Sequence, residues 1–183
     1  MLDKFIVENS SPTLAGIKTA NLSSYPYESR LAVFSEVAAL NHRLSSKNIH
    51  IEILRFYEKR VLIYVYRPDR LQSDLLDPEA RRIMAECGYT TPEYKQCIAH
   101  LIERLDAWKD FPHEIGLFLG YPVEDVKGFI ENCGRNYKLM GYWKVYGDIE
   151  MAQKCFECYK KCTAAFCRSF SCGACVEQLA VAG

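Results

Sequence analysis

Apolar and polar positions follow two different periods in the first half of the chain. A short amphipathic helix at the N-terminus is followed by a predicted loop at residues 10–13. Over residues 28–45 the apolar side chains recur every three to four positions, which predicts an amphipathic helix. Residues 49–53 alternate between apolar and polar, and residues 61–66 form a β-branched and aromatic run. These two runs predict an antiparallel hairpin whose second strand, apolar on both faces, lies inside a sheet.

Capping residues and helical periodicity dominate the second half of the chain. Asp77 before Pro78 is a typical helix start, since aspartate accepts hydrogen bonds from free amides and proline fits the first turn. Similar signals predict four more helices, which begin at Glu93, Asp110, Pro122 and Glu150. Residues 137–146 are rich in apolar and aromatic side chains and predict a strand.

Together these elements predict an α+β fold. A small antiparallel sheet, formed by the hairpin 49–66 and the strand 137–146, is expected to pack with about six helices. The chain shows no linker long enough to separate two domains. Residues 1–168 are therefore predicted to form a single globular domain, and residues 169–183 a cysteine-bearing C-terminal tail.

Composition and charge restrict the class of protein. The chain has 183 residues, of which 49% are hydrophobic, and its 23 basic side chains balance 23 acidic ones. This composition excludes a disordered chain and a collagen. A net charge of zero argues against nucleic acid or an anionic membrane as the main partner. The first twenty residues show no export signal, and the longest apolar stretch, residues 115–123, is too short to span a bilayer. A cytoplasmic protein is expected.

Six of the nine cysteines lie near the C-terminus, between residues 155 and 175. Cys155, Cys158 and Cys162 fall on one stripe of the last predicted helix, and free cysteine behaves as a small apolar side chain. These three are therefore expected to be buried thiols.

The remaining cysteines have the spacing C-x4-C-x2-C, which matches the start of a plant-type iron–sulfur motif and contains a CxxC pair typical of zinc and dithiol sites. The candidate metal ligands are Cys162, Cys167, Cys172 and Cys175, with Cys133 or His113 as other sources of the fourth ligand. A thiol-based metal or redox protein is thus the second functional hypothesis, although the absence of a second CxxC pair in a matching loop argues against a metal.

Two short predicted helices within residues 111–132 resemble a helix-turn-helix. The second helix carries Glu124, Asp125 and Glu131 against a single Lys127, and like charges facing phosphate repel. The acidic face favours a packed helical hairpin, so a DNA-binding regulator ranks last among the hypotheses.

Within the same segment, His113 beside Glu114 suggests an acid–base pair, which would make the protein an enzyme. The same residues have a structural explanation, because an acidic side chain in the first turn complements the helix dipole. An enzyme is therefore the third hypothesis.

Residues 142–146 place three aromatic side chains around Lys144, with the basic residues Arg135 and Lys138 close before them in the sequence. Flat aromatic walls beside lysine charges suit a small anionic molecule, although sheet packing with solvated lysines explains the same residues. We expect this strand, the loop that carries Lys18 and the helix start at His113 to come together and form one pocket. The predicted ligand-binding residues are Lys18, His113, Glu114, Tyr121, Trp143, Lys144 and Tyr146. A small-molecule binding or accessory protein is the leading hypothesis.

Three segments resemble an uncharacterised family of anaerobic gram-positive (clostridial) bacteria, a domain of unknown function. They read PTLAGIKTANL (12–22), FPHEIGLFLGYPVEDVKGFIEN (111–132) and YWKVYGD (142–148). The resemblance extends over nearly the whole chain but implies no reaction, cofactor or partner. The family pattern has His-Cys just before the first segment, where this chain has Ser10 and Ser11, which argues against a metal-binding loop there.

Overall fold

The computed structural model describes residues 1–107 and 111–183. The described residues form nine α-helices and two antiparallel sheets, which confirms the α+β class. None of these helices combines the length and apolarity needed to cross a membrane. The helix start predicted at Asp110 lies outside the described residues.

The chain divides into two compact units. The first unit comprises residues 1–70 and 161–183, and the second comprises residues 71–160. The single domain over residues 1–168 stays a prediction.

The first unit contains a three-stranded sheet with the order β1-β3-β2, in which both pairings are antiparallel. The strands are β1 (Ala20–Pro26), β2 (His50–Phe56) and β3 (Arg60–Tyr66). The predicted hairpin is confirmed, and its second strand, β3, is the central one. Strand β1 was not predicted, because its serines and Pro26 are typical of a loop; as an edge strand it is stabilised mainly by pairing with β3.

Helices cover one face of this sheet. They are α1 (Leu2–Leu14), α2 (Arg30–Leu44), the C-terminal part of α8 (Ile149–Ser171) and α9 (Val176–Leu179). Helix α1 continues through residues 10–13, where a loop was predicted, because those residues are buried in the unit. The predicted tail contains α9, and Val176 and Ala180 belong to the core of the first unit.

The second unit is mostly helical. Its helices, of which α3 and α8 also extend into the first unit, are α3 (Pro68–Leu75), α4 (Pro78–Glu86), α5 (Tyr94–Ala107), α6 (Ile115–Phe118), α7 (Val123–Glu131) and α8. The predicted cap of α4 is confirmed, since a carboxylate oxygen of Asp77 accepts from the amides of Glu79 and Ala80 at 2.9 and 3.0 Å.

The predicted strand at residues 137–146 is wrong in its placement. This segment forms its own two-stranded sheet, β4 (Leu139–Met140) paired with β5 (Lys144–Val145), apart from the three-stranded sheet. Gly141 permits the tight turn, because its amide donates to the Trp143 carbonyl at 3.0 Å and its backbone lies against the Phe156 ring of α8, where a side chain would clash.

The prediction of three buried thiols on α8 is also wrong. Cys158 is exposed, and Cys155 and Cys162 are half-buried. The buried positions in the second-unit part of this helix are Ala152 and Tyr159. At 3.6 residues per turn, Cys158 lies about 120° around the helix from Ala152. The buried stripe therefore follows the alanine and aromatic positions, not the cysteines.

Candidate functional site

A cavity of about 260 Å³ lies in the second unit, beside α6, α7 and the β4–β5 hairpin. Four of the predicted ligand-binding residues line it: His113, Tyr121, Trp143 and Lys144. The short α6–α7 connection brings the first two together with the hairpin residues. Gly116 permits the close approach of α6 to α7, because a Cβ at this position would lie 2.7 Å from a methyl group of Val126.

Asp125, in the first turn of α7, fixes the hairpin to this helix. Its side chain is buried, and one carboxylate oxygen accepts from the indole Nε1 of Trp143 at 2.6 Å. The other oxygen accepts from the backbone amides of Tyr146 and Gly147 at 2.7 and 2.8 Å. Three donors thus satisfy a carboxylate that would otherwise be costly to bury. In the sequence, Asp125 is distinguished only as one of three acidic residues on this helix.

The wall of the cavity is aromatic. The Tyr121 ring stacks on the Trp143 indole with a centroid distance of 5.0 Å, and the Tyr121 hydroxyl donates to the Tyr142 carbonyl at 3.2 Å. Burial raises the pKa of Tyr121 to about 12, so the phenol stays neutral at physiological pH. Trp143 and Phe156 of α8 also pack edge-to-face, with their ring centroids 4.6 Å apart. A rigid, flat surface results.

Two basic groups lie beside this wall. The Lys144 ammonium donates to the Gly134 carbonyl at 2.7 Å and lies 5.5 and 4.9 Å from the ring centroids of Phe129 and Tyr137. The exposed His113 imidazole meets the Phe129 ring edge-on at 5.0 Å. An ammonium has three donor hydrogens, so Lys144 can hydrogen-bond both the carbonyl and a further acceptor.

Glu114 has other neighbours than His113. Its buried carboxylate accepts from the Arg104 guanidinium at 2.5 Å and from the Tyr89 hydroxyl at 3.2 Å. Arg104 also donates to the Cys87 carbonyl at 3.1 Å. Burial, with the Glu114 charge, raises the pKa of the Cys87 thiol to about 11 and raises that of Tyr89. This cluster anchors the start of α6, and sequence reasoning missed it because its members come from the loop after α4, from α5 and from the residue before α6.

Tyr146 and Lys18 complete the predicted set. The Tyr146 hydroxyl donates to the Arg135 carbonyl at 2.8 Å, and its ring packs on Gly128 of α7. Lys18 belongs to the first unit, where its buried ammonium donates to the Ala20 carbonyl at 2.6 Å. Burial lowers the pKa of Lys18 to about 7. The structure therefore gathers four of the seven residues at one cavity.

The candidate metal ligands are not gathered in this way. Among residues 1–107 and 111–183, no group of three or more His, Cys, Asp or Glu side chains is arranged to hold a metal ion. Cys172 and Cys175 are exposed, and Cys162 and Cys167 are half-buried along α8.

Comparison with known sequences places the chain in a family. A search of curated proteins and a search of solved structures both gave no match. One family, described as "protein of unknown function (DUF3793)", matches residues 6–180, which is nearly the whole chain. The chain therefore belongs to this family.

Proposed function

We propose that the protein binds a small planar molecule with an anionic group in the cavity of the second unit. The observation that carries the proposal is the convergence of His113, Tyr121, Trp143 and Lys144 on one cavity of about 260 Å³. Ligand sites are typically concave and largely apolar, with a few polar groups that orient the ligand. This cavity has that composition.

The flat Tyr121–Trp143 stack supports a planar ligand, because aromatic rings prefer offset-stacked or edge-on contacts with other rings. The indole and the phenol are already held by Asp125 and by the Tyr142 carbonyl. Their rings are thus pre-oriented, which reduces the entropy cost of binding.

Lys144 supports an anionic group on the ligand. Lys144 lines the cavity, and the exposed His113 beside it supplies a second polar side chain. Asp125 also lines the cavity, but its charge is compensated by three N–H donors. We therefore expect the anionic group on the Lys144 side, away from Asp125.

Binding can be tested by calorimetry with naphthalene-2-carboxylate and its neutral counterpart, naphthalene-2-carboxamide. The carboxylate should bind with a dissociation constant of micromolar to low millimolar order, as expected for a ligand of this size. Lys144→Met should weaken binding of the carboxylate by about tenfold, corresponding to roughly 1.4 kcal/mol, and leave the affinity for the carboxamide unchanged.

Lys138→Met is the matched control, because Lys138 is an exposed lysine of the same segment that donates to the Gly147 carbonyl. Equal losses of carboxylate affinity in the two variants would show a nonspecific charge effect. If neither naphthalene compound binds, the proposed aromatic site is refuted.

A further inference from the structure

The junction between α8 and α9 carries two exposed thiols separated by two residues, Cys172 and Cys175. Between them, Gly173 has a φ of +98°, and the amides of Gly173 and Ala174 donate to the carbonyls of Phe170 and Ser169 at 3.0 and 3.1 Å. These bonds end α8 in a Schellman turn. Nothing lies within 4 Å of the place that a Cβ of Gly173 would occupy, so the turn has open space around it.

The α9 side of the junction is anchored. The Cys175 amide donates to the Gln178 side-chain oxygen at 2.9 Å, and the backbone amide of Gln178 donates to the Cys175 carbonyl at 3.2 Å. Val176 is buried in the core of the first unit, and Glu177 is paired with Arg43 of α2. Cys175 is thus held in place, and Cys172 directly follows the last turn of α8, where its amide donates to the Arg168 carbonyl at 3.0 Å and the residue is exposed.

We propose that Cys172 and Cys175 form a reversible thiol–disulfide pair that exchanges with a low-molecular-weight disulfide. In the first step one thiolate attacks a sulfur of the small disulfide, forms a mixed disulfide and releases one small thiol. In the second step the other cysteine attacks the protein sulfur of that mixed disulfide and releases the second small thiol. Two protein thiols lose two electrons and two protons, and the small disulfide gains them.

The chain contains a second CxxC pair that serves as an internal comparison, Cys155 and Cys158. This pair lies in the middle of α8, where backbone hydrogen bonds hold both residues, and Cys155 is half-buried. Exchange depends on access to the thiol and on the freedom to reach disulfide geometry. We therefore expect the C-terminal pair to close at least tenfold faster.

Trypsin separates the two pairs, since cleavage after Lys154, Lys160 and Arg168 releases peptides 155–160 and 169–183, each with one CxxC pair. The full-length protein is incubated with oxidised glutathione at pH 8, quenched with acid, alkylated, digested and analysed by mass spectrometry over time. Peptide 169–183 should appear early in an unalkylated form two hydrogens lighter than its dithiol, and excess reduced glutathione should return it to the doubly alkylated form.

Single variants test the second step. Cys172→Ser and Cys175→Ser should each stop at a mixed disulfide with glutathione on the remaining cysteine, whereas Cys158→Ser should leave closure of the C-terminal pair unchanged. Closure of peptide 155–160 at the same rate would overturn the proposal, because spacing alone would then explain it. Stable double glutathionylation of peptide 169–183, or disulfides between chains at these residues, would also overturn it.

Discussion

At the scale of single residues, buried charged side chains hold backbone and side-chain groups in place. Asp125 joins the residues on either side of β5 to α7 in the second unit, Arg67 joins distant segments of the first, and Lys18 holds the nearby Ala20 carbonyl. A buried charge is expensive unless its hydrogen bonds are satisfied. The partners of these three residues could not be predicted from the sequence, because most of them are backbone groups, which every residue carries.

Lys18 should make stability depend on pH. Burial lowers the pKa of Lys18 to about 7, while the unfolded chain keeps a value near 10.5. Below pH 7 the lysine is charged in both states, and burying that charge destabilises the folded state. The penalty is relieved as the pH rises from about 7 to about 10. Lys18→Met removes it, so at pH 6 the variant should exceed the wild type in free energy of unfolding by about 2–4 kcal/mol.

Urea unfolding at pH 6 and pH 9.5 measures this difference, which should shrink at the higher pH. The exposed Lys4→Met is the control and should show equal differences at both pH values. Parallel profiles for wild type and Lys18→Met would contradict the lowered pKa.

Asp125→Asn tests the connection between the hairpin and α7. An amide has one acceptor oxygen, so its NH₂ group would face either the Trp143 indole N–H or the amides of Tyr146 and Gly147. A donor facing a buried donor should cost about 1–3 kcal/mol of unfolding free energy. Urea unfolding measures the loss, and emission of Trp143 in a Trp108→Phe background reports whether the indole becomes solvated. Glu131→Gln, at an exposed position of the same helix, should change neither quantity.

At the scale of helices and strands, the sequence pattern predicted those elements whose formation depends on residues close together in the chain. The cap at Asp77 and the alternation in β2 could be predicted because each depends on neighbouring residues. Strand β1 and the β4–β5 hairpin could not, since β1 depends on pairing with β3 and the hairpin turn depends on contact with Phe156. The prediction of the buried stripe on α8 was wrong for the same reason, because the surrounding elements decide which side of a helix is covered.

Gly128 of α7 sets the distance between this helix and Tyr146. A Cβ at this position would lie 2.4–2.9 Å from atoms of Tyr146, including its own Cβ, so the tyrosine would have to move. Alanine gains up to about 1 kcal/mol of helix propensity over glycine, but overpacking typically costs about 1–3 kcal/mol. Gly128→Ala should therefore lower the melting temperature, whereas Glu131→Ala on the exposed side should not. A rise in melting temperature for Gly128→Ala would show that Tyr146 is free to shift.

At the scale of the whole molecule, the chain returns to its first unit after completing the second. Sequence reasoning predicted one domain because no linker marks the boundary, and α3 and α8 each cross it without interruption. Six of the seven residues predicted for the candidate site lie in the second unit, and His113, Tyr121, Trp143 and Lys144 line its cavity. Glu114 and Tyr146 contact other partners in the same unit, and Lys18 belongs to the first unit, because packing and not sequence position decides what each side chain meets.

Arg67 holds the discontinuous first unit together, and it provides the test of this organisation. Its buried guanidinium donates to the carbonyls of Thr13, Leu14 and Val181 at 2.7–2.8 Å, which joins the end of α1 to the C-terminal segment. Arg67→Met would remove a charged donor from all three carbonyls, leaving the Thr13 and Leu14 carbonyls only the backbone amides of Gly16 and Val181. This loss should cost at least about 3 kcal/mol of unfolding free energy. Arg67→Lys should restore little of the lost stability, because one ammonium cannot reproduce the planar fork of donors that a guanidinium provides. Urea titration measures both variants.

Neighbouring Arg70 is the control, since it is exposed and donates to the Gly16 carbonyl. Arg70→Met should cost under about 1 kcal/mol of unfolding free energy in the same urea titration. Equal losses at the two positions would show that Arg67 does not join the two segments.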